Sequence, residues 1–410
     1  MPSSPCADRH PTASQDASPP QGIHVDVDAC LARRPAGLAC GACVEVCPAQ
    51  ALNWADDSVS VGRACIGCGR CAAACPSGAI SVAGFEALRT APQAVSGERF
   101  IECARVPPRL RRAGALTVPC LGGVTVVDLL SMAARDQVAV LMDRGWCSAC
   151  PAAGEMAATP ADTVDDAGHD LHLSLGALAS GVRLPLPRID HAPLPPQLAL
   201  APPREVESGG AAIDRRGFFA SFRAGPRSVV AAASRPRHSR TRAACRPSAA
   251  VARHQTHRAD ALAALAQRLH QPLLASAFPA VTAHRNCCHE GVCAAGCPSG
   301  ALRLVDDGAA GQVGLDFEAA LCLGCGLCAA LCPQQALSVT GAGSAAESWQ
   351  PGPQPLTRHA LRRCHQCADE FLPRDPTDRC PRCAMALEQG RNLFGALSAG
   401  SARRKAPPTS

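Results

Sequence analysis

Two twelve-residue runs in this chain are near copies of each other, and both are built on cysteine. Cys65-Ile-Gly-Cys68-Gly-Arg-Cys71-Ala-Ala-Ala-Cys75-Pro76 and Cys322-Leu-Gly-Cys325-Gly-Leu-Cys328-Ala-Ala-Leu-Cys332-Pro333 lie at a constant offset of 257 residues. Each follows a partner run of the same type, Cys40 to Pro48 ending in Ala51-Leu52, and Cys287 to Pro298 ending in Ala301-Leu302. Cys47 and Cys297 are offset by 250, so the second copy has seven extra residues between its halves. Internal repetition of this kind marks a structural unit used twice. Disulfide frameworks belong mainly to short secreted domains, whereas this chain has 410 residues and most of its 26 cysteines sit two or three positions apart. The spacing reads as metal ligation. Tyr is absent and aromatics are 3% of the chain, so ligation also supplies cohesion that a scarce aromatic core does not.

In the C-x2-C-x2-C-x3-C-P arrangement, three closely spaced thiolates cap three irons of one cubane and the fourth cysteine reaches the neighbouring cluster. Two such motifs make two clusters by exchange. Applied here, Cys65, Cys68 and Cys71 with Cys47 hold one cluster, and Cys40, Cys43 and Cys75 with Cys30 hold the other. In the second copy, Cys322, Cys325, Cys328 and Cys297 form one complete set, while Cys287, Cys293 and Cys332 belong to its partner. The competing reading is a set of zinc knuckles. Each Cys-Pro is followed by a short apolar stretch, Ala79-Ile80-Ser81-Val82 or Ala336-Leu337-Ser338-Val339, that predicts a strand. The helix before it stops near the Pro, which disfavours helical backbone at the preceding residue.

These residues resemble the two-cluster bacterial ferredoxin family over about residues 24–84 and again over 280–340. The resemblance implies a pseudo-twofold β-α-β fold, up to four 4Fe-4S clusters in the chain, and one-electron transfer at low potential. The pattern departs at two places. Gly37 stands where the first cysteine of module one is expected, and Cys30 lies seven residues upstream. Folding back of Arg33-Arg34-Pro35-Ala36-Gly37 brings Cys30 to the iron; the alternative is an exchangeable corner. In module two, Glu290 replaces the second cysteine beside Cys288-His289. Either Cys288 fills the vacancy, or the carboxylate position marks a 3Fe-4S cluster.

Between the modules, Phe100-Ile101-Glu102, Ala115 to Val118 and Val138 to Met142 read as strands and Val124 to Arg135 as a helix, giving a small α/β domain. Cys103, Cys120 and Cys147 close strand-like segments, and in an open parallel sheet strand carboxyl ends converge on one crevice. With Cys150 they make a third constellation. Val118-Pro119-Cys120-Leu121-Gly122-Gly123 and Gly145-Trp146-Cys147-Ser148-Ala149-Cys150 resemble the small iron-sulfur subunit of hydrogenase and heterodisulfide reductase systems over about fifty residues. A 2Fe-2S cluster, a structural zinc site and a redox-active Cys-x-x-Cys pair remain open there. Near the C-terminus, Cys364-His-Gln-Cys367 and Cys380-Pro-Arg-Cys383 predict a four-cysteine ribbon holding zinc, with a rubredoxin-like iron as the alternative.

The expected architecture is α+β. It comprises a disordered N-terminus (1–22), ferredoxin-type domain one (23–90), the small α/β domain (98–184), a Pro/Arg-rich linker (185–259), ferredoxin-type domain two (260–345), the ribbon (356–390) and a tail (391–410). Residues 215–259 contain eleven Arg and no acidic residue against a net charge of +6 for the whole chain, so the basicity is local. A solvated, disordered linker explains it; His238, His254 and His257 read as linker residues, and Cys6 and Cys245 have no assigned partner. Arg215-Arg216-Gly217-Phe218-Phe219 resembles a twin-arginine element but sits mid-chain with no apolar region after it. The first residues have no secretory pattern, and the longest apolar stretch, Gly114 to Val127, is too short for a membrane span. A cytoplasmic protein with no membrane and no nucleic-acid partner is expected.

No Gly-rich phosphate loop, dinucleotide fingerprint or nucleophile with its base is present, so catalysis belongs to a partner. The expected function is a polyferredoxin relaying electrons to or from a partner oxidoreductase, such as a molybdenum formate dehydrogenase, as multi-ferredoxin architectures imply. The second expectation is a redox-sensing or cluster-delivering accessory protein.

Overall fold

The computed structural model describes residues 22–34, 40–55, 58–92, 97–135, 137–152, 160–175, 184–201, 247–307, 311–341, 347–373 and 378–389. The expected disordered N-terminus (all but Gly22) and tail, the core of the Arg-rich linker, Cys6, Cys245 and the twin-arginine stretch fall outside these residues.

The first unit runs β1 (Ile23–Val25), α1 (Ala42–Glu45), β2 (Leu52–Ala55), β3 (Ser58–Val61), α2 (Arg70–Ala73) and β4 (Ile80–Val82). β1 pairs antiparallel with β4, Val25 opposite Ile80, and β2 pairs antiparallel with β3, Leu52 opposite Val61. The apolar strand residues share one small core with cysteines: Leu52, Val59 and Ile80 pack with Cys43 and Cys71. Thiols thus occupy volume that aliphatic side chains fill elsewhere. α3 (Ala87–Thr90) follows, and its Leu88 is fully buried with Phe85 in the core of the next unit.

That unit is a four-stranded sheet in the order β6-β5-β7-β8, every neighbouring pair parallel. Its strands are β5 (Glu98–Cys103), β6 (Leu116–Val118), β7 (Val138–Asp143) and β8 (Arg188–His191). β7 is buried at Ala139, Val140, Leu141 and Met142 in succession, the unbroken apolar run that a sheet covered on both faces requires. α4 (Val126–Ala134) and α5 (Pro160–Leu175) make the crossovers. α4 opens on a capping box, Thr125 accepting from the Asp128 amide and Asp128 accepting from the Thr125 amide; Arg89 of α3 donates to the same carboxylate at 2.9 Å.

Two parts of the expected linker are ordered elements. Arg188–His191 is the edge strand β8, so the α/β unit extends past 184. Residues from Ala249 belong to α6 (Ala249–Arg268), N-capped by Ser248. Its Ala259, Leu262, Leu265 and Ala266 pack against Leu130 and Ala133 of α4, Leu171 of α5, and Phe278 and Ala320 further on. His254 and His257 are therefore helix residues, and Arg258 pairs with Asp170 at 2.9 Å. The helix is held by small alanines facing a tight interface, a core that composition alone makes look like linker.

The last large unit repeats the element order of the first: β9 (Ala280–Ala283), α7 (Val292–Gly296), β10 (Leu302–Asp307), β11 (Gln312–Phe317), α8 (Leu327–Leu331) and β12 (Leu337–Thr340). β9 pairs antiparallel with β12, and β10 with β11. β13 (Gln354–Ala360) then adds to β11 across a bulge at Leu315/Asp316, so residues 356–360, expected in the ribbon, extend this sheet instead. Pro355 is tolerated because β13 is an edge strand. β14 (Arg362–Arg363) and β15 (Glu370–Phe371) form the remaining two-stranded ribbon. Among the described residues no helix is long and apolar enough to cross a membrane.

Candidate metal centres

The short helices sort the cysteines. α1 carries Cys43 and is followed by Cys47; α2 carries Cys71 and is followed by Cys75. Cys47, Cys65, Cys68 and Cys71 line one pocket. Cys43 lies among Cys75, Cys30 and Cys40, each of which raises its thiol electrostatically. Each helix therefore serves both sets, its own cysteine turned to one and the next cysteine to the other. Cys30, at the start of the turn Leu31–Arg33, comes beside Cys75 and Cys40; Gly37 lies outside the described residues. The loop that carries Cys65 and Cys68 turns sharply through Gly67 (φ 65°) and Gly69 (φ 79°), a left-handed conformation that costs glycine nothing. Gly324 and Gly326 repeat it at 68° and 71°.

In the second unit, Cys297, Cys322, Cys325 and Cys328 line the counterpart of that pocket. Cys287, Cys288, Glu290, Cys293 and Cys332 line another together with His289. Both candidates for the irregular corner, Cys288 and Glu290, thus face the same space. Backbone amides point at the sulfurs in matching places: Gly67 to Cys65 and Gly324 to Cys322 at 3.5 and 3.4 Å, and Ala51, Ala79 and Ala336 to Cys47, Cys75 and Cys332 at 3.3 Å. Such donors stabilise thiolate charge and tune any metal the thiolates hold.

The middle unit gathers Cys103 from the end of β5, Cys120 from just after β6, and Cys147 and Cys150 from the turn after β7 around one pocket. Parallel strands place all four on the carboxyl-end side. Trp146 fixes the last turn by donating from Nε1 to the Leu194 carbonyl at 2.7 Å. Arg70, Arg105 and Arg144 also line the cavity, and Arg144 pairs with Glu102, which is fully buried. These arginines were not marked by the sequence reading. Arg70 sits inside the cysteine run and is buried at 6% exposure, a burial that its sequence position does not signal.

Burial dominates the thiol chemistry of these sets. It pushes Cys71 and Cys328 up to about 12, and Cys43, Cys68, Cys103, Cys147, Cys293 and Cys322 to about 11. Cys30, Cys65, Cys120 and Cys325 move in the same direction. Neighbouring thiolates repel one another and lose hydration where they are buried; a cation among them removes both penalties. The donor chemistry therefore fits a metal group at each set.

The sets differ in span. At the C-terminus the sulfurs of Cys364, Cys367, Cys380 and Cys383 all lie within 4.8 Å of one another, and Cys367 and Cys380 are 3.7 Å apart. Tetrahedral zinc with 2.3 Å bonds places its sulfurs about 3.8 Å apart, so this set closes around one ion. The Cys380 amide, donating to Cys364 Sγ at 3.3 Å, lowers that thiol to about 6. Among the described residues this is the one group of three or more His, Cys, Asp or Glu with ligand atoms so close. Among the described residues the sulfurs of the other sets stand farther apart than this.

No curated protein matches the chain. Residues 39–86, which include Cys40, Cys43, Cys47, Cys65, Cys68, Cys71 and Cys75, match the family model described as the LdpA Fe-S cluster-binding domain, and this match supports reading the chain as an iron-sulfur protein.

Proposed function

We propose that this protein is an electron carrier of the polyferredoxin kind, with two ferredoxin-like modules holding 4Fe-4S clusters, passing electrons to or from a partner oxidoreductase. The observation that supports it best is the exchange of cysteines between paired sets: α1 and α2, and again α7 and α8, each carry one cysteine toward one cavity and are followed by one that serves the other. A single-ion site needs no such crossing, whereas two adjacent clusters use it. When bound, such a cluster takes up and returns one electron without bond rearrangement in the protein. The chain's own contribution is to exclude water with Leu52, Ile80, Leu302 and Leu337 and to aim amides at the sulfurs. In this reading Cys103, Cys120, Cys147 and Cys150 hold a fifth centre, of 2Fe-2S type, and the C-terminal set holds zinc.

The test is anaerobic purification of the full chain with quantification of iron, acid-labile sulfide and zinc. The reading expects iron and sulfide in near-equal, multiple amounts per chain and about one zinc. Zinc at every site with little iron would overturn it.

A further inference from the structure

We propose that the thiolate sets of the three units stand in single file, in the order Cys103/Cys120/Cys147/Cys150, Cys47/Cys65/Cys68/Cys71, Cys30/Cys40/Cys43/Cys75, Cys297/Cys322/Cys325/Cys328, Cys287/Cys293/Cys332, with the Cys103 and Cys287 sets at its two ends. The proposal rests on the iron-sulfur reading above and goes beyond it by joining units that the sequence presents as separate.

Three joints carry the order. At the first, the Cys68–Arg70 loop of the first module lies directly on Gly122 and Gly123 of the middle unit. A β-carbon at Gly123 would stand 2.5 Å from the Cys68 carbonyl oxygen, and one at Gly122 would stand 2.7 Å from the Arg70 guanidinium carbon. Arg70, flanked by Cys68 and Cys71 in the chain, projects into the wall of the middle unit's cysteine cavity. One buried cation is thus shared by two sets.

At the second, the two sets of the first module share a core, Cys43 and Cys71 packing together with Leu52 and Ile80; the two sets of the second module likewise share one that contains Cys297 and touches Cys293, Cys322 and Cys328. The third joint links the modules. Ala29, Ala79 and Val251 form a small buried cluster against which Cys30 and Cys75 pack from one side of the file and Leu323 from the other. Leu323 is the residue after Cys322, and Val251 comes from α6, the helix that ties the second module to the middle unit. The tie is what makes the contact between modules a fixed feature of the fold.

The ends differ from the middle. Cys147 is exposed, and the cavity of the Cys287 set has Val292 and Leu304 at its edge, 41% and 50% exposed.

The test is redox titration of the full-length, cluster-loaded protein followed by paramagnetic resonance, with signals assigned by Cys→Ser variants in each set. Arg70→Gln removes the shared charge and should lower the potentials of the Cys103 and Cys65 sets together, by about tenfold in the reduction equilibrium, about 59 mV for one electron. Arg70→Lys should restore both, and the Cys322 and Cys287 sets should not move. Leu323→Lys should raise the Cys75 and Cys322 sets together and leave the Cys103 set unchanged. This second variant is at a half-buried position and decides the joint between modules even where Arg70→Gln protein does not accumulate. A shift confined to one set of a pair, or one that reaches a set two places away with equal size, would overturn the file. Wild-type protein without iron and sulfide would overturn the iron-sulfur reading itself, and the file with it.

Discussion

Replacing Gly123 by Ala adds one methyl group where the structure has no room for it. The new carbon would lie 2.5 Å from the Cys68 carbonyl oxygen and 3.0 Å from the Gly69 α-carbon, and would also meet the Phe85 ring. Close carbon-oxygen contacts in proteins sit at about 3.3–3.6 Å, so roughly 1 Å of separation is required. The opposing atoms are backbone, and Phe85 is 5% exposed within the core of the middle unit, so no side chain can swing aside. Overpacking of this kind costs about 1–3 kcal/mol. At about 4–8 °C per kcal/mol for a unit of roughly 100 residues, the melting temperature of the middle unit should fall by roughly 4–24 °C. The chain has several units and is not expected to unfold in one step, so the diagnostic readout is amide hydrogen exchange. Exchange should rise at Cys68–Arg70 and Leu121–Gly123 and stay unchanged at the corresponding loop, Cys325–Leu327. Unchanged melting and unchanged exchange at both loops would refute the claim that these backbones touch.

Gly168 is the contrasting glycine: it lies inside α5 with nothing within 4 Å of an added β-carbon, so Gly168→Ala should raise stability by about 0.5–1 kcal/mol in thermal melts. The metal-free chain should lose stability as pH rises. Cys71 and Cys328 are held at about 12 against an ordinary 9.0, so below pH 9 both states are protonated and folding is undisturbed, while between about 9 and 12 the unfolded thiols ionise first and pull the chain open. Melting curves across that range should show the loss, and cluster-loaded protein should not follow it. Cys380→Ser should release about one zinc per chain and increase exchange around Arg362–Phe371 without lowering iron content, as read by metal analysis; loss of iron in parallel would contradict separate sites.

The neighbours of Cys65, Cys68 and Cys71 were legible in the sequence because short loops hold the three together on one pocket, with Cys47 brought in from the partner run and Cys75 turned to the other set. Three of the four parallel strands of the middle unit, β5, β6 and β7, carried a local signal, each with adjacent apolar or β-branched residues such as Phe100-Ile101 and Val138 to Met142. What escaped was built from weak local signals and distant contacts. α6 buries Val251, Leu262 and Leu265 among alanines, and its Arg258 pairs with Asp170 of α5, so its apolar stripe is thin and its arginines and histidines mimic a linker. β8, Arg188-Ile-Asp-His191, is half-exposed at a sheet edge and shows no apolar run. β13 contains Pro355 and depends on a bulge in β11 for its pairing, neither of which is visible in residues 354–360 alone. Arg70 shows the general limit: its place in the cysteine run is plain, but its role follows from Gly122 and Gly123, which only the folded chain brings to it.

The central claim is that thiolates drawn from the two repeated runs enclose iron-sulfur clusters. Its most direct test is the paramagnetic spectrum of the reduced, anaerobically purified protein compared with Cys65→Ser and Cys322→Ser variants. Each substitution should remove or reshape one distinct signal and leave the signal of the other module in place. Spectra of both variants identical to that of the unaltered protein would contradict it.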